Sequence, residues 1–218
     1  MFKTHSKLVA ISTITGAIAI AHAGSNLVYN GDFSVVGPNG SPTLSTALFP
    51  GPCAANGWET FQNQPNTETE TALVSPPAGL PSGTTTAIYF GCNLDHTDYG
   101  SELDQVLLPY GTGPKNVEIG VWVYLLTGVV GIGVGNGGAT GYEAATSVTN
   151  QWIYLSAQHY DANGNDNLII GNASYYANSR NRTVFYATDA MVEAVPEPAP
   201  FIGLGLGIAC FIRRRKRA

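Results

Sequence analysis

The chain has 218 residues and a formal net charge of −5, and only 11% of its residues are charged. Two basic residues precede position 8 and five more crowd the C-terminus, so residues 24–194 hold only Lys115, Arg180 and Arg182 against fourteen acids between Asp32 and Glu193. A body this acidic repels nucleic acid and anionic lipid, which leaves cations, neutral sugars and protein partners as the ligands that charge permits.

At the N-terminus, Lys3 and Lys7 precede an apolar stretch from Leu8 to Ile20, and Ala21-His22-Ala23 supplies a small-x-small pattern ahead of Gly24. This order predicts a cleaved signal peptide over residues 1–23. Its apolar run of about 13 residues is short of the about 20 that a spanning helix needs. Residues 24–194 then suit a single domain with one core.

Within that body helical periodicity is nearly absent. Short β-rich runs alternate with turn pairs such as Asn30-Gly31, Asn39-Gly40, Asn56-Gly57, Asn136-Gly137 and Asn163-Gly164, a spacing that argues for an all-β domain. The expected strands are 84–91, 102–108, 116–126, 129–135, 151–160, 167–172 and 183–194, after a first run over 26–33 that ends in a turn.

Cys53 and Cys92 are the two cysteines of the body, and an oxidising compartment predicts a disulfide between them. Closing a loop of about 40 residues would contribute on the order of 4 kcal/mol. Two free buried thiols are the other reading. Cys210 lies in the apolar tail.

The longest strand carries the first hint of a site. With a period of two, Val117, Ile119, Val121, Val123 and Leu125 form a core face, while Glu118, Gly120, Trp122, Tyr124 and Leu126 face the other way. The following strand sets Gly131 and Gly133 opposite Val130, Ile132 and Val134. Aromatic rings beside bare glycine backbone would make a shallow groove with a stacking platform for a sugar ring, so Trp122 and Tyr124 are the candidate carbohydrate-binding residues. The competing reading packs both rings beneath a loop.

Other arrangements lack the pattern their chemistry needs. The loop from Asp161 to Asn167 departs from the EF-hand, with Asp166 where the sixth position requires Gly and Asn172 where the twelfth requires Glu. Asp95, His96 and Asp98 have no second histidine at a ligand spacing, since His159 is remote. Gly133, Gly135 and Gly138 satisfy G-x-G-x-x-G, but no helix follows to hold a pyrophosphate. Neither a G-x-S-x-G elbow nor an H-E-x-x-H motif occurs, and Glu102 and Asp104 share a strand face with nothing else marking them for glycoside hydrolysis. The expectation is a protein that is not an enzyme.

The tail has three parts: Val195-Pro196-Glu197-Pro198, an apolar segment from Ala199 to Ile212, and the basic cluster Arg213-Arg214-Arg215-Lys216-Arg217. The prolines hold the chain extended and end the folded domain. The apolar segment enters the bilayer and the arginines stay on the cytoplasmic side. At 1.5 Å per residue, about 14 residues reach only about 21 Å, short of the about 30 Å hydrocarbon core. Order, spacing and position resemble the PEP-CTERM sorting domain. That resemblance implies processing by the membrane protease exosortase, transient anchoring by the C-terminus, and a Gram-negative envelope where exopolysaccharide or biofilm is made.

A second resemblance spans the body. The run Asn26-Leu27-Val28-Tyr29-Asn30-Gly31-Asp32-Phe33-Ser34, then Gly57-Trp58, Gln105, Trp152 and Phe185-Tyr186-Ala187-Thr188-Asp189-Ala190-Met191-Val192 look like the frame of galactose-binding-like jelly rolls. This implies a jelly-roll β-sandwich over 24–194 and, more weakly, carbohydrate as ligand. It also makes Asp32 and Asp189 the candidates for a structural calcium tying the first segment to the last strand, although Ser34 stands where relatives often carry an acid. The functional expectation is a non-catalytic surface or matrix protein that binds polysaccharide. The alternatives are an envelope protein with no small ligand, or a glycoside-active enzyme.

Overall fold

The computed structural model describes residues 26–47, 50–62, 68–93, 101–107, 115–135, 142–161, 167–173 and 182–195. Among these residues, eleven strands run in chain order: β1 (Thr43–Ser45), β2 (Glu59–Gln62), β3 (Glu68–Val74), β4 (Ala87–Asn93), β5 (Ser101–Val106), β6 (Lys115–Thr127), β7 (Val130–Gly135), β8 (Ala144–Thr146), β9 (Trp152–Asp161), β10 (Asn167–Asn172) and β11 (Val184–Ala194). No helix occurs among the described residues. The strands form two sheets, one ordered β1-β3-β4-β11-β6-β9 and the other β2-β5-β10-β7-β8, and every ladder is antiparallel.

Alternation dictates how the sheets pack. Val117, Ile119, Val121, Val123 and Leu125 of β6 are fully buried, as are Val130, Ile132 and Val134 of β7, Leu168 and Ile170 of β10, and Phe185 and Ala187 of β11. All belong to one apolar cluster between the sheets. Phe90 of β4 stacks on Phe185 at 4.9 Å between ring centroids. Only the β-sandwich places every second residue of two sheets into one shared interior.

All seven later strands occur within a few residues of their expected bounds. Four short or polar strands have no counterpart in the sequence-based expectation, and β3 shows why. Its core-facing positions are Thr69 and Thr71, both fully buried, so hydrophobic alternation is silent there. That end of the sandwich is joined by hydrogen bonds instead: Gln62 Nε2 donates to Thr69 Oγ1 at 2.7 Å and to the Ser45 carbonyl at 2.9 Å, and Ala54 N donates to Thr71 Oγ1 at 2.8 Å.

Two expectations are corrected. Residues 26–33 do not form a strand, because the backbone turns as early as Tyr29 and Asn30 and Phe33 adopt left-handed φ values of 52° and 55°. The segment is fastened to β11 by Leu27 N to the Val192 carbonyl at 2.8 Å and by the Asn26 side chain, which bonds Val192 N and the Ala190 carbonyl. The disulfide between Cys53 and Cys92 is also not formed. Both thiols are free and buried in the apolar cluster, and burial pushes both up in pKa, Cys92 to about 11. They behave as small core side chains, with Thr71 near one and Ser101 near the other.

Residues 1–25, Pro196, Glu197, Pro198 and everything beyond them lie outside the described residues, as do Asp95, His96, Asp98 and the middle of the 161–167 loop. The expected signal peptide, sorting tail and Cys210 therefore rest on the sequence.

Candidate functional site

β11 lies between β4 and β6 and carries a bulge after Thr188, where its register with β6 jumps to Met191. Asp189 absorbs the extra residue with a φ of 53°. Bulges re-aim side chains, and here one turns Asp189 outward while Ala190 stays buried. The Asn30-Gly31 turn docks on the bulge, with Ala190 N donating to the Gly31 carbonyl at 2.9 Å. A Cβ at Gly31 would collide with the Ala190 carbonyl oxygen, so this approach requires glycine.

Beside the bulge, on the outer face of the six-stranded sheet, an open pocket of about 660 Å³ is lined by Trp122, Tyr154, Met191, Asp189, Thr84, Ser82 and the turn residues Asn26, Asn30, Gly31, Asp32 and Ala190. Trp122 and Tyr154 are cross-strand partners on β6 and β9. Their ring centroids are 5.1 Å apart, tilted by 50°, and Tyr154 is 40% exposed. Gly120, two residues before Trp122, leaves room for the tyrosine hydroxyl, which a Cβ there would strike. Both Asp189 carboxylate oxygens accept from Thr84 Oγ1, at 2.6 and 2.8 Å. Burial raises the Tyr154 phenol, and the charges of Glu118, Glu193 and Asp189 raise it further.

The pocket thus unites three residues singled out separately in the sequence, Trp122 for stacking and Asp32 and Asp189 for calcium. Tyr124 does not belong to it. Its ring meets Trp152 at 5.5 Å and Tyr186 at 6.2 Å, and the 75–86 connection crosses above, taking a hydrogen bond from Trp152 Nε1 to the Pro77 carbonyl at 3.0 Å. The expected groove against Gly131 and Gly133 is not formed either, because β7 belongs to the opposite sheet and Tyr142 lies against Gly131. Tyr154 replaces those glycines as the second wall, a pairing that only the β6–β9 register reveals.

The oxygens around Asp32 and Asp189 are of the hard kind that calcium takes. Some are committed locally: Asp32 Oδ1 accepts from Ser34 N and Ser34 Oγ, and Asn26 Oδ1 accepts from Val28 N and Val192 N. Among the described residues no three of His, Cys, Asp and Glu converge. His159 is paired with Glu143 at 2.6 Å.

A second feature, not marked by the sequence, sits on the outer face of the five-stranded sheet. Glu102 and Asp104 of β5 are 3% and 2% exposed. Burial, opposed by the Tyr142 hydroxyl bond at 3.0 Å, raises Glu102 to about 7, and Asp104 adds to the shift. Burial likewise raises Asp104 to about 6, with Asn167 opposing and Glu59 adding. Glu102 fits there because Gly171 lies across from it with no side chain of its own.

Residues 194–217 match the family model described as the PEP-CTERM protein-sorting motif. The chain ends in a PEP-CTERM sorting signal. The match begins at the last residue of β11, so the PEP-CTERM signal takes over where the final ladder stops, one residue before Val195 N closes a 2.8 Å bond to the Asn116 carbonyl. No curated protein matches the sequence. By structure, the body is similar to a putative sugar binding protein from Bacteroides thetaiotaomicron, with 9% identity over 78% of this chain and 100% of that one, at a TM-score of 0.50. It is also similar to the N-terminal CBM22-1-CBM22-2 tandem domain of Paenibacillus barcinonensis Xyn10C, with 16% identity over 82% of this chain and 48% of that one, at 0.51. A Clostridium thermocellum xylanase 10B structure with CBM22-1 and GH10 modules is matched over only 30% of its length, at 13% identity and 0.45. The first two likenesses show the fold alone, a jelly-roll β-sandwich.

Proposed function

We propose that the protein is an exported, non-catalytic surface or matrix protein, delivered by exosortase processing of its PEP-CTERM tail, that binds polysaccharide at the Trp122–Tyr154 pocket. The observation that carries this reading is a pair of aromatic rings, Tyr154 exposed and Trp122 half-buried, beside hydroxyl, amide and carboxylate groups in one open pocket. Rings of this kind stack on the apolar face of a pyranose while the polar rim fixes its hydroxyls. A calcium ion held by Asp32 and Asp189 would brace the N-terminal turn against β11 next to that platform.

The test is titration of the full chain with envelope polysaccharide from a PEP-CTERM host, followed by tryptophan fluorescence. The wild type should show a saturable shift, and Trp122→Ala should weaken binding at least about tenfold, roughly 1.4 kcal/mol or more, with the unfolding midpoint little changed. Tyr124→Phe should bind as the wild type does. Retention on no polysaccharide at all would favour the envelope-scaffold alternative. In the native host, intact mass of the surface form should show a C-terminus near Pro196-Glu197-Pro198; a mature form still ending at Ala218 would leave the tail as a plain anchor.

A further inference from the structure

The two sheets have four edge strands, and three of them are short: β1 and β8 have three residues each and β2 has four. The fourth, β9, has ten. An edge strand presents unpaired backbone N–H and C=O groups, and folds protect such edges by shortness, lysine, proline or a bulge. β9 has none of these protections. Its sequence holds no Lys, Arg or Pro, its one acid is its last residue, Asp161, and its register with β6 runs unbroken from Trp152 to Asp161. Among the described residues no strand pairs with its other side. The side chains agree: the inward-facing Ile153, Ala157 and His159 are only half-buried, whereas their partners on β6, Val123, Ile119 and Val117, are fully buried. On the outer face Tyr154 and Tyr160 are 40% and 61% exposed.

We propose that β9 pairs antiparallel with β9 of a second copy of this chain, about a two-fold axis at Ser156, and joins two six-stranded sheets into one. Charge selects both the place and the occupant. Two copies of so acidic a body repel over most of their surface, but Trp152–Tyr160 carries no acid at all, and each copy brings the same acid-free strand to the seam. Centring the pair on Ser156 sets Trp152 against the second copy's Tyr160, Ile153 against its His159, Tyr154 against its Gln158 and Leu155 against its Ala157. Every residue from Trp152 to Tyr160 is then paired, the aromatic ends meet twice, and no like charges face each other. Centring on Ala157 instead would bring Asp161 against the half-buried Ile153, where a carboxylate is costly. The inference needs no ligand. On the carbohydrate-binding reading it has a consequence, since the axis is normal to the sheet and both Trp122–Tyr154 platforms open on one face. The two Tyr154 residues then stand about 14 Å apart, close enough for one polysaccharide to engage both.

The experiment is oxidative cross-linking of the full chain in a mild detergent, with Cys210→Ser so that the tail thiol cannot react. Ser156→Cys should form a covalent dimer, because the axis sets the two residues directly opposite, within the about 4.4–6.8 Å between Cα atoms that a disulfide spans. Gln158→Cys, also at an exposed position, should stay monomeric, because its counterpart in the second copy lies about 14 Å away. With Ser156 in place, sedimentation should show a monomer–dimer equilibrium that moves toward dimer as salt rises, since salt screens the repulsion between copies. Ser156→Asp should weaken that equilibrium at least about tenfold by setting two carboxylates opposite each other, and Ser156→Asn should not. Cross-linking of both cysteine variants to the same extent, or of neither, overturns the inference. So does self-association that Ser156→Asp leaves unchanged, because the contact would then lie elsewhere. A monomeric chain that still binds polysaccharide loses this inference alone, and a dimer that binds none loses only the carbohydrate reading.

Discussion

Glu102→Gln should stabilise the protein at pH 8 and flatten the pH dependence of its stability between about 4.5 and 7. The carboxyl is 3% exposed and its folded-state pKa is lifted from 4.5 to about 7, chiefly by burial. A raised acid binds its proton more tightly in the folded state, so the folded form holds more protons throughout that window and stability falls as pH rises. Below 4.5 both states are protonated and the contribution is complete; above 7 the charge is present in the fold and the contribution is lost. A shift of this size corresponds to a difference on the order of 3 kcal/mol. The amide keeps an acceptor for the Tyr142 hydroxyl and never ionises, so a gain of about 1–3 kcal/mol at pH 8 is expected. Asp104, raised from 3.8 to about 6, gives the same sign over a lower window. Urea unfolding at pH 4, 6 and 8 is the measurement. A wild type as stable at pH 8 as at pH 4, or a glutamine variant weaker than wild type at pH 8, would contradict the argument.

Gln105→Ala should cost about 2–4 kcal/mol, more than its size suggests. Its side chain is 4% exposed and holds the N-terminal turn to the five-stranded sheet by three bonds. Oε1 accepts from Tyr29 N at 2.8 Å, and Nε2 donates to the Tyr29 carbonyl at 2.8 Å and the Gly57 carbonyl at 3.0 Å. Truncation leaves three backbone groups without partners, each costing about 1 kcal/mol or more where water cannot replace the side chain. Gln105→Met keeps the volume and loses the bonds, so it should fall nearly as far as alanine. If methionine restores wild-type stability in chemical denaturation, the residue acts by packing and the hydrogen-bond account is wrong.

Those three bonds also show which parts of the sequence are readable. Gln105 and the Asn26–Ser34 run stand out only through resemblance, and the structure gives both a physical role, since they join the first residues of the body to both sheets. The β6 core face is legible because five branched or leucine side chains alternate with outward residues and no other element supplies that period. The β1, β2 and β3 strands are not, since their buried positions hold Thr, Ser and Gln, joined by the Gln62 amide, and give no hydrophobic signal. Trp122 can be picked out from its place on the outward face, but its partner Tyr154 cannot. Which residues meet across β6 and β9 depends on register, and register is set by long-range pairing that a single strand's pattern does not contain. Glu102 is hidden for a related reason: a carboxyl on a strand face looks solvated until the sheet topology puts Gly171 opposite it and closes water out.

The last strand of the domain is not an edge. β11 sits between β4 and β6, so the six-stranded sheet exists as two separate halves until residues 184–194 arrive. On the export route proposed above, a chain emerging N-terminus first has every other strand outside before it has the one that joins them, and the sorting tail follows directly. Long-range pairing of this kind forms late in folding. On that proposed route, completion of the sheet and presentation of the tail become nearly simultaneous events. A protein cut short before residue 184 would lose the centre of its sheet as well as its address.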